Sequence, residues 1–413
     1  MSMSAREADA VVIGGGAAGM MAATVAAERG RRVLLLEQEP SCGRKLRITG
    51  KGRCNVCNDC GEVRSFLQHV PANPKFLYAC LSRFGPRETM SFFESCGVAL
   101  KVERGNRVFP QSDRAQDVVH ALERRMRRAG VSVLHAQARE ILTRDGAVRG
   151  VATDQGECAC AHVLIATGGA SYPLTGSRGD GYRFARSLGH TVTPLRPSLV
   201  PLECAGEDCG EMQGFSLKNV TLRAFDGQGA EIFSELGEMM FTHFGVTGPL
   251  VLSASAHMRS AARGPYRLEI DLKPGLRDEQ LDARLLRDFE KNKNKQFQNA
   301  LDALAGRSMI PVLVRRSGIP PMLPVHSVTR QQRQGLLRLL KAFPLTVTGP
   351  RPLSEAIVTA GGVSVEEVDP RTMRSKRVPG LFFAGEVLDV DAYTGGFNLQ
   401  IAWSTGHLAG TQL

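Results

Sequence analysis

The sequence predicts an α/β fold in which an open, mostly parallel sheet is interrupted by a long β-rich and helical insertion. Three observations predict it. A β-rich run, Asp9 to Ile13, passes through a glycine turn into an alanine-rich helix, Ala17 to Arg29, and then into a second strand, Arg32 to Glu37. This alternating texture stops near Thr193 and resumes near residue 355. The intervening sequence turns first to short β runs separated by turns, then to strongly basic helical sequence.

The elements follow in order. After the first βαβ unit comes a Gly/Arg/Lys/Cys loop, Cys42 to Cys60, and mixed helical segments to about Arg128. Val131 to Leu142 alternates as one strand, and Ala147 to Thr153 with Cys158 to Ala166 reads as a hairpin returning to the sheet. Asp180 to Leu188 is helical. Ser216 to Phe225 and Tyr266 to Leu272 are strands, and Leu276 to Ser317 is basic and helical, with Lys291 to Lys295 as an exposed turn. Gln331 to Phe343 is an amphipathic helix with Leu336, Leu337, Leu339 and Leu340 on its apolar side. Leu345 to Thr348, Glu355 to Ala360 and Gly380 to Ala384 regain β character before a last helix, Leu399 to Ala409. The expected domains are therefore 1–192 and 355–413 as two pieces of a nucleotide domain, 193–275 with 318–354 as a β-rich insertion, and 276–317 as a basic helical one.

Composition narrows the classes. A chain of 413 residues, 43% hydrophobic and 23% charged, holds two or three domains with sizeable cores. No apolar run approaches the ~18 residues of a membrane span, and the first nine residues lack the pattern of a secretion signal. A cytoplasmic location with reduced thiols is expected of the ten dispersed cysteines. The net charge of +11 is concentrated: from Lys273 to Arg351, fifteen Lys and Arg face six Asp and Glu. Such a surface suits a polyanionic partner as well as plain solvation.

The glycine turn carries chemistry. In Ala10-Val-Val-Ile-Gly-Gly-Gly-Ala-Ala-Gly19, Gly14 makes the tight turn, Gly16 lets a pyrophosphate approach the main chain, and Gly19 lets helix and sheet pack closely. The helix amides and dipole then face the phosphates. Glu37, at the end of the second strand, is placed to accept the ribose hydroxyls of an adenosine. These residues alone leave NAD and FAD open. The far end of the chain decides for FAD. Val378 to Glu386 is a strand ending in Gly-Glu, followed by a Tyr393-Thr-Gly-Gly-Phe-Asn-Leu399 turn into a helix. In flavoproteins of the glutathione-reductase type, that strand end holds the ribityl and pyrophosphate region. The next helix points its positive end at the anionic side of the reduced ring.

Taken together, the motifs resemble the BaiN/YhiN/RdsA-type FAD-dependent oxidoreductases, a family that includes ribosomal RNA dihydrouridine synthases. The likeness rests on the fingerprint, on Gly43-Arg-Lys-Leu-Arg-Ile-Thr-Gly-Lys-Gly-Arg-Cys-Asn55, on Ala166 to Tyr182, on Met239 to Pro249, and on Ala360 to Val363 with Gly385 to Gln400. Lys51 stands where a glycine is usual, and Val56-Cys57-Asn58 replaces a threonine-containing version. The resemblance implies a split Rossmann-like FAD domain with inserted β-barrel-like and helical domains. It assigns the cofactor to Gly14, Gly16, Ala17, Ala18, Gly19, Glu37 and Gln38, then to Arg44, Lys45, Gly52, Arg53 and Asn55. Ala138, Thr167 and Gly168 would meet the adenosine side; Gly385, Glu386, Gly396, Asn398 and Leu399 would meet the ribityl and ring side.

The chemistry implied is hydride transfer from reduced flavin to an activated C=C bond, with NAD(P)H as a transient donor because no second dinucleotide fingerprint is present. His243, Tyr393 and Cys54 are the candidate proton donors. No metal is expected: Cys54, Cys57 and Cys60 have iron–sulfur-like spacing but lack a fourth ligand at a convincing distance. The substrate is expected to be uridine in ribosomal RNA, with Lys291, Lys293, Lys295, Arg315 and Arg316 on its phosphates and Phe289 and Phe297 available to stack bases. A small-molecule enone is the alternative, then an amine, then a flavin-bound RNA-binding factor without catalysis.

Overall fold

A computed structural model describes residues 6–259 and 264–413. It divides into two compact units, the chain up to Ser198 with Leu353–Leu413, and Leu199–Pro352. These boundaries lie a few residues from 192/193 and 354/355. Strand Arg196–Ser198 pairs antiparallel with Val358–Ala360, which draws both connections into the first unit.

The first unit is built on a five-stranded parallel sheet in the order Leu381–Phe383, His162–Ile165, Ala10–Ile13, Val33–Leu36, Ser132–Leu134. The strands Ala10–Ile13 and Val33–Leu36 are apolar throughout and wholly buried, as strands covered on both faces must be. Helix Ala17–Glu28 returns the chain from the first strand to the second, and the C-terminal helix Phe397–Gly410 packs against it. Those two helices meet backbone to backbone. A methyl on Gly406 would fall 2.4 Å from the Ala18 carbonyl oxygen, and one on Gly410 2.6 Å from that of Ala22. Trp403, fully buried, donates its indole N–H to the Val56 carbonyl at 2.9 Å and ties the helix to the loop Cys42 to Cys60.

Two expected strands are rearranged. Val131 to Leu142 is two elements, Ser132–Leu134 in the parallel sheet and Ala138–Arg144 in a separate four-stranded sheet. The break comes where His135 Nδ1 meets the Glu39 carbonyl at 2.8 Å and the Ala136 N–H turns back to Leu134. The hairpin closes earlier than expected: Ala147–Thr153 pairs with Gly156–Ala159, while His162–Ile165 leaves for the parallel sheet.

The second unit contains a closed antiparallel barrel of six strands: Leu202–Cys204, Gly245–Thr247, Glu231–Thr242, Ser216–Phe225, Arg267–Asp271 and Phe343–Pro350. Leu222, Ala224, Phe241, Val246, Leu268, Ile270 and Phe343 belong to its buried core. Helices Asp278–Lys291, Ile310–Ser317 and Arg330–Lys341 pack together through Leu281, Leu285, Leu313, Leu336, Leu337 and Leu340. The helical layer thus runs past Ser317 into the stretch grouped with the β-rich region, pinned by the two-bond contact of Arg333 with Asp282 at 2.7 and 3.2 Å. Among the described residues no helix is long and apolar enough to cross a membrane.

Candidate active site

The strands Ala10–Ile13, His162–Ile165 and Leu381–Phe383 run in the same direction, so the loops after Ile13, Ile165 and Phe383 gather at one edge, where open α/β sheets bind ligands. At the first loop, Gly14 holds φ +106°, and a Cβ there would sit 2.5 Å from the Ala166 carbonyl oxygen. A Cβ on Gly19 would sit 1.9 Å from the Gly14 oxygen. Gly16 differs: a Cβ there would meet nothing within 4 Å. Sheet and helix therefore demand Gly14 and Gly19, whereas Gly16 borders open space at a helix start that has no side-chain cap. Exposed amides, a dipole and room above them are what a pyrophosphate needs.

Glu37 leaves the second strand with its carboxylate held by the Gly15 N–H at 2.8 Å and the Glu39 N–H at 2.9 Å. Burial raises its pKa above the ordinary carboxylate range, and the Gly15 bond works against that shift. Neighbouring Glu39, also buried, takes ion pairs from Arg44 and, at 2.9 Å, from Arg178. Gln38 donates to the Gly176 carbonyl at 2.9 Å. The loop 171–178 is thereby fastened to the end of the second strand.

Glu386 is a hub. Its carboxylate accepts from Lys45 Nζ at 2.8 Å, from the Ser171 hydroxyl at 3.1 Å and from the Thr359 N–H at 2.9 Å. Lys45 also donates to the Ser171 hydroxyl at 2.8 Å. Four stretches far apart in sequence are thus joined at one carboxylate, which fixes the turn Gly385–Val387 behind the last strand. The second bare helix start lies beyond it, at Gly396, with φ +103° and no side-chain cap. A Cβ on Gly396 would fall 2.3 Å from the Cys57 carbonyl oxygen and 2.9 Å from Asn55 Oδ1. Asn398 spends its side chain on the Ala392 N–H and on the Ala392 and Tyr393 carbonyls, shaping the loop before the helix. Its contribution to a ligand is left to the backbone, like that of Leu399.

Two buried polar atoms here have no partner, Asn55 Oδ1 and Thr167 Oγ1. Orphaned buried acceptors and hydroxyls are costly unless a ligand or water meets them. With two uncapped helix starts, the space at Gly16 and the Glu37 carboxylate, they fit a dinucleotide extended across the ends of the strands. Ala17, Ala18 and Gly19 would receive its phosphates, Glu37 its ribose, and Gly396, Asn398 and Leu399 its ring.

The remaining expected residues fall as follows. Gly52 borders open space and Gly168, at φ +72°, packs near Ser177 Oγ. Ala138 is buried at the start of its strand, paired with Thr153. Arg53 is turned to the hairpin, over the Phe109 ring at 4.1 Å and in ion pairs with Glu103 and Asp113. Cys54 has no exposed surface, and burial pushes its thiol up to about 12. Tyr393 is half-buried just before the uncapped helix, its ring edge-on to His69 at 5.6 Å. His243 lies in the second unit, exposed at the turn after Thr242, edge-on to Phe244. Lys291, Lys293 and Lys295 are exposed. Arg315 and Arg316 are bound by Asp208, and Arg315 also by Glu211. Phe289 and Phe297 do not stack bases: both are core residues, because their apolar rings close the helical layer. Sequence reasoning missed Ser171, Thr359, Glu39 and His69. Only Ser171, inside the Ala166 to Tyr182 motif, carried a local signal.

A family model for the HI0933-like protein Rossmann domain matches residues 8–412. The protein belongs to that family. Among curated relatives of the family, the chain is 33% identical to the 3-dehydro-bile acid delta(4,6)-reductase of Clostridium scindens, over 92% of each chain. It is 31% identical to the ribosomal RNA dihydrouridine synthase of Escherichia coli, over 96% of each. The fold is shared with 3-ketosteroid delta1-dehydrogenase from Sterolibacterium denitrificans, at TM-score 0.52 and 12% identity over 98% of this chain and 99% of that one. This family member is an enzyme, an FAD-dependent oxidoreductase of Rossmann type.

Proposed function

We propose that the protein uses NAD(P)H to reduce an activated carbon–carbon double bond, and that the substrate is uridine in ribosomal RNA. Bound FAD supplies the hydride. The chain's residues do the rest: the two helix starts and Glu37 hold the cofactor, Glu386 and Lys45 keep the loops in register, and an acid delivers the second hydrogen as a proton. Tyr393, beside the Gly395-Gly396 turn, is the leading acid; His243 and Cys54 are the other two candidates, Cys54 the weakest because its thiol has no exposed surface. Relatives of the two kinds are nearly equal in identity, one named for a bile acid and one for ribosomal RNA, so likeness does not choose the substrate.

The observation that carries the RNA reading is the set of unmatched cations in the stretch 273–351 of the second unit. Lys291, Lys295, Arg287, Arg307, Arg330 and Arg338 have no carboxylate partner among the described residues, and Lys293 has only a loose contact with Glu290 at 3.5 Å. A polyphosphate chain has use for such a surface; a small apolar enone does not. The burial of Phe289 and Phe297 favours the second reading, a small-molecule enone reductase, because it removes the expected stacking platform. Holoenzyme, NADPH and unmodified ribosomal RNA, followed by nucleoside mass spectrometry at rising salt, test the choice. Dihydrouridine that forms and declines steeply with salt supports RNA. Turnover of a conjugated enone with no dihydrouridine at any salt supports the small molecule.

A further inference from the structure

The burial of both phenylalanines leaves the basic helical layer without an aromatic surface for a base, yet a cleft of about 620 Å³ opens in that layer. Its lining includes Gln298, Asn299, Pro311, Ile319, Pro320 and Pro321. The volume lies within the range of pockets that enclose a small organic ligand, roughly 300–1,000 Å³. The three prolines are exposed, as is neighbouring Met322, so the cleft presents apolar surface to solvent. Besides Arg315, the polar side chains of the lining are two amides. Asn299 makes no side-chain hydrogen bond among the described residues. Gln298 uses only its NH2 group, on Gln296 at 3.2 Å and on the Met322 sulfur at 3.5 Å, and keeps its carbonyl oxygen available.

The cleft and the lysine turn share one frame. The segment 295–298 is laced to 321–325 by Val325 N–H to Lys295 O at 2.9 Å, Phe297 N–H to Leu323 O at 2.8 Å and Gln298 N–H to Pro321 O at 3.1 Å. His326 adds a bond to the Lys293 carbonyl at 2.7 Å. Lys295 is therefore three residues from Gln298 along a braced strand-like pair, with Lys293 and Lys291 just beyond. Arg315, on the cleft wall, is occupied by Asp208 and Glu211, so the cations on offer are the lysines.

We propose that this cleft receives an unpaired nucleotide of a single-stranded RNA segment, its base against the exposed prolines, its edge read by the Gln298 and Asn299 amides, and the adjoining phosphates held by Lys291, Lys293 and Lys295. Apolar surface flanked by donor and acceptor amides suits a base edge, and a run of ammonium groups nearby in the chain suits the phosphates that follow. This rests on RNA being the substrate and adds where, in the second unit, its flanking nucleotides bind.

The test uses full-length holoenzyme and a fluorescent single-stranded oligouridylate, with affinity measured at several salt concentrations. Asn299→Ala and Pro311→Glu are the cleft variants; both positions are exposed, and an acidic residue in the first turn of helix Ile310–Ser317 favours that helix. Each is expected to weaken oligonucleotide binding by roughly five- to tenfold, and Asn299→Ala to leave the salt slope unchanged. Lys291→Ala with Lys293→Ala and Lys295→Ala is expected to lower that slope by about 0.7 per lysine. Flavin absorbance and thermal melts of all variants serve as the control for folding and flavin loading. If the cleft variants bind RNA like the parent while the parent still makes dihydrouridine, the cleft proposal is overturned and the RNA reading stands. If the parent neither binds nor reduces RNA, both fall. Displacement by an apolar peptide, with RNA affinity untouched by the variants, would also overturn it in favour of a protein partner.

Discussion

At the scale of single residues, the site turns on groups whose partners differ in kind. Glu37 meets the protein through two backbone N–H groups and keeps lone pairs for a ribose. Replacing it with Gln removes charge-assisted acceptance worth about 1.5–3 kcal/mol; FAD affinity is expected to drop ten- to a hundredfold in a fluorescence titration. Tyr393→Phe keeps the ring against His69 and removes only the hydroxyl. If Tyr393 is the acid, kcat should fall by roughly 10²–10⁴ with FAD affinity intact. Cys54 is neutral below about pH 12, since burial opposes the thiolate. At pH 8 a thiol-alkylating reagent is therefore expected to spare Cys54 in the native protein and to modify it after denaturation, as read by peptide mass spectrometry. Labelling of native Cys54 would show that the loop opens to solvent.

At the scale of elements, the glycine turn separates folding from binding. Gly16→Ala places a methyl in space that the protein leaves open, at an ordinary negative φ. Its apo stability should change by no more than about 0.5 kcal/mol, while FAD binding weakens at least tenfold. Gly19→Ala drives a methyl into the Gly14 carbonyl and should cost roughly 1–3 kcal/mol or more before any ligand is added. Paired thermal melts with and without FAD distinguish the two. The sequence could reveal these elements because their constraints are local: three glycines, an apolar strand, and an acid one strand later. It could not reveal the division of 131–142 into two strands, which is set by His135 reaching the Glu39 carbonyl 96 residues away. Nor could it reveal the Glu386 hub, whose contacts Lys45, Ser171 and Thr359 come from three other stretches of the chain. Amphipathic spacing did mark the helix Arg330–Lys341, yet the aromatic residues of the neighbouring helices read equally well as a base platform or a core. Burial decides for the core.

At the scale of the whole molecule, the residues proposed to hold a dinucleotide come from both ends of the chain, separated in sequence by a barrel and a basic helical layer. The Rossmann motif names the cofactor's phosphate end and carries no information about the substrate. In the proposed reading the basic stretch 273–351 does, and it was legible from composition, although Arg315 and Arg316 are matched inside the protein by Asp208, which lies outside that stretch. The lysine turn remains. We propose that electrons taken up by this oxidoreductase end in uridine of ribosomal RNA. Nucleoside mass spectrometry of ribosomal RNA from source cells with and without the protein tests it most directly. A uridine carrying two extra hydrogens is expected at a defined position in the parent, absent when the protein is removed and restored by the parent protein but not by Tyr393→Phe. Identical dihydrouridine content in the two cells would contradict it.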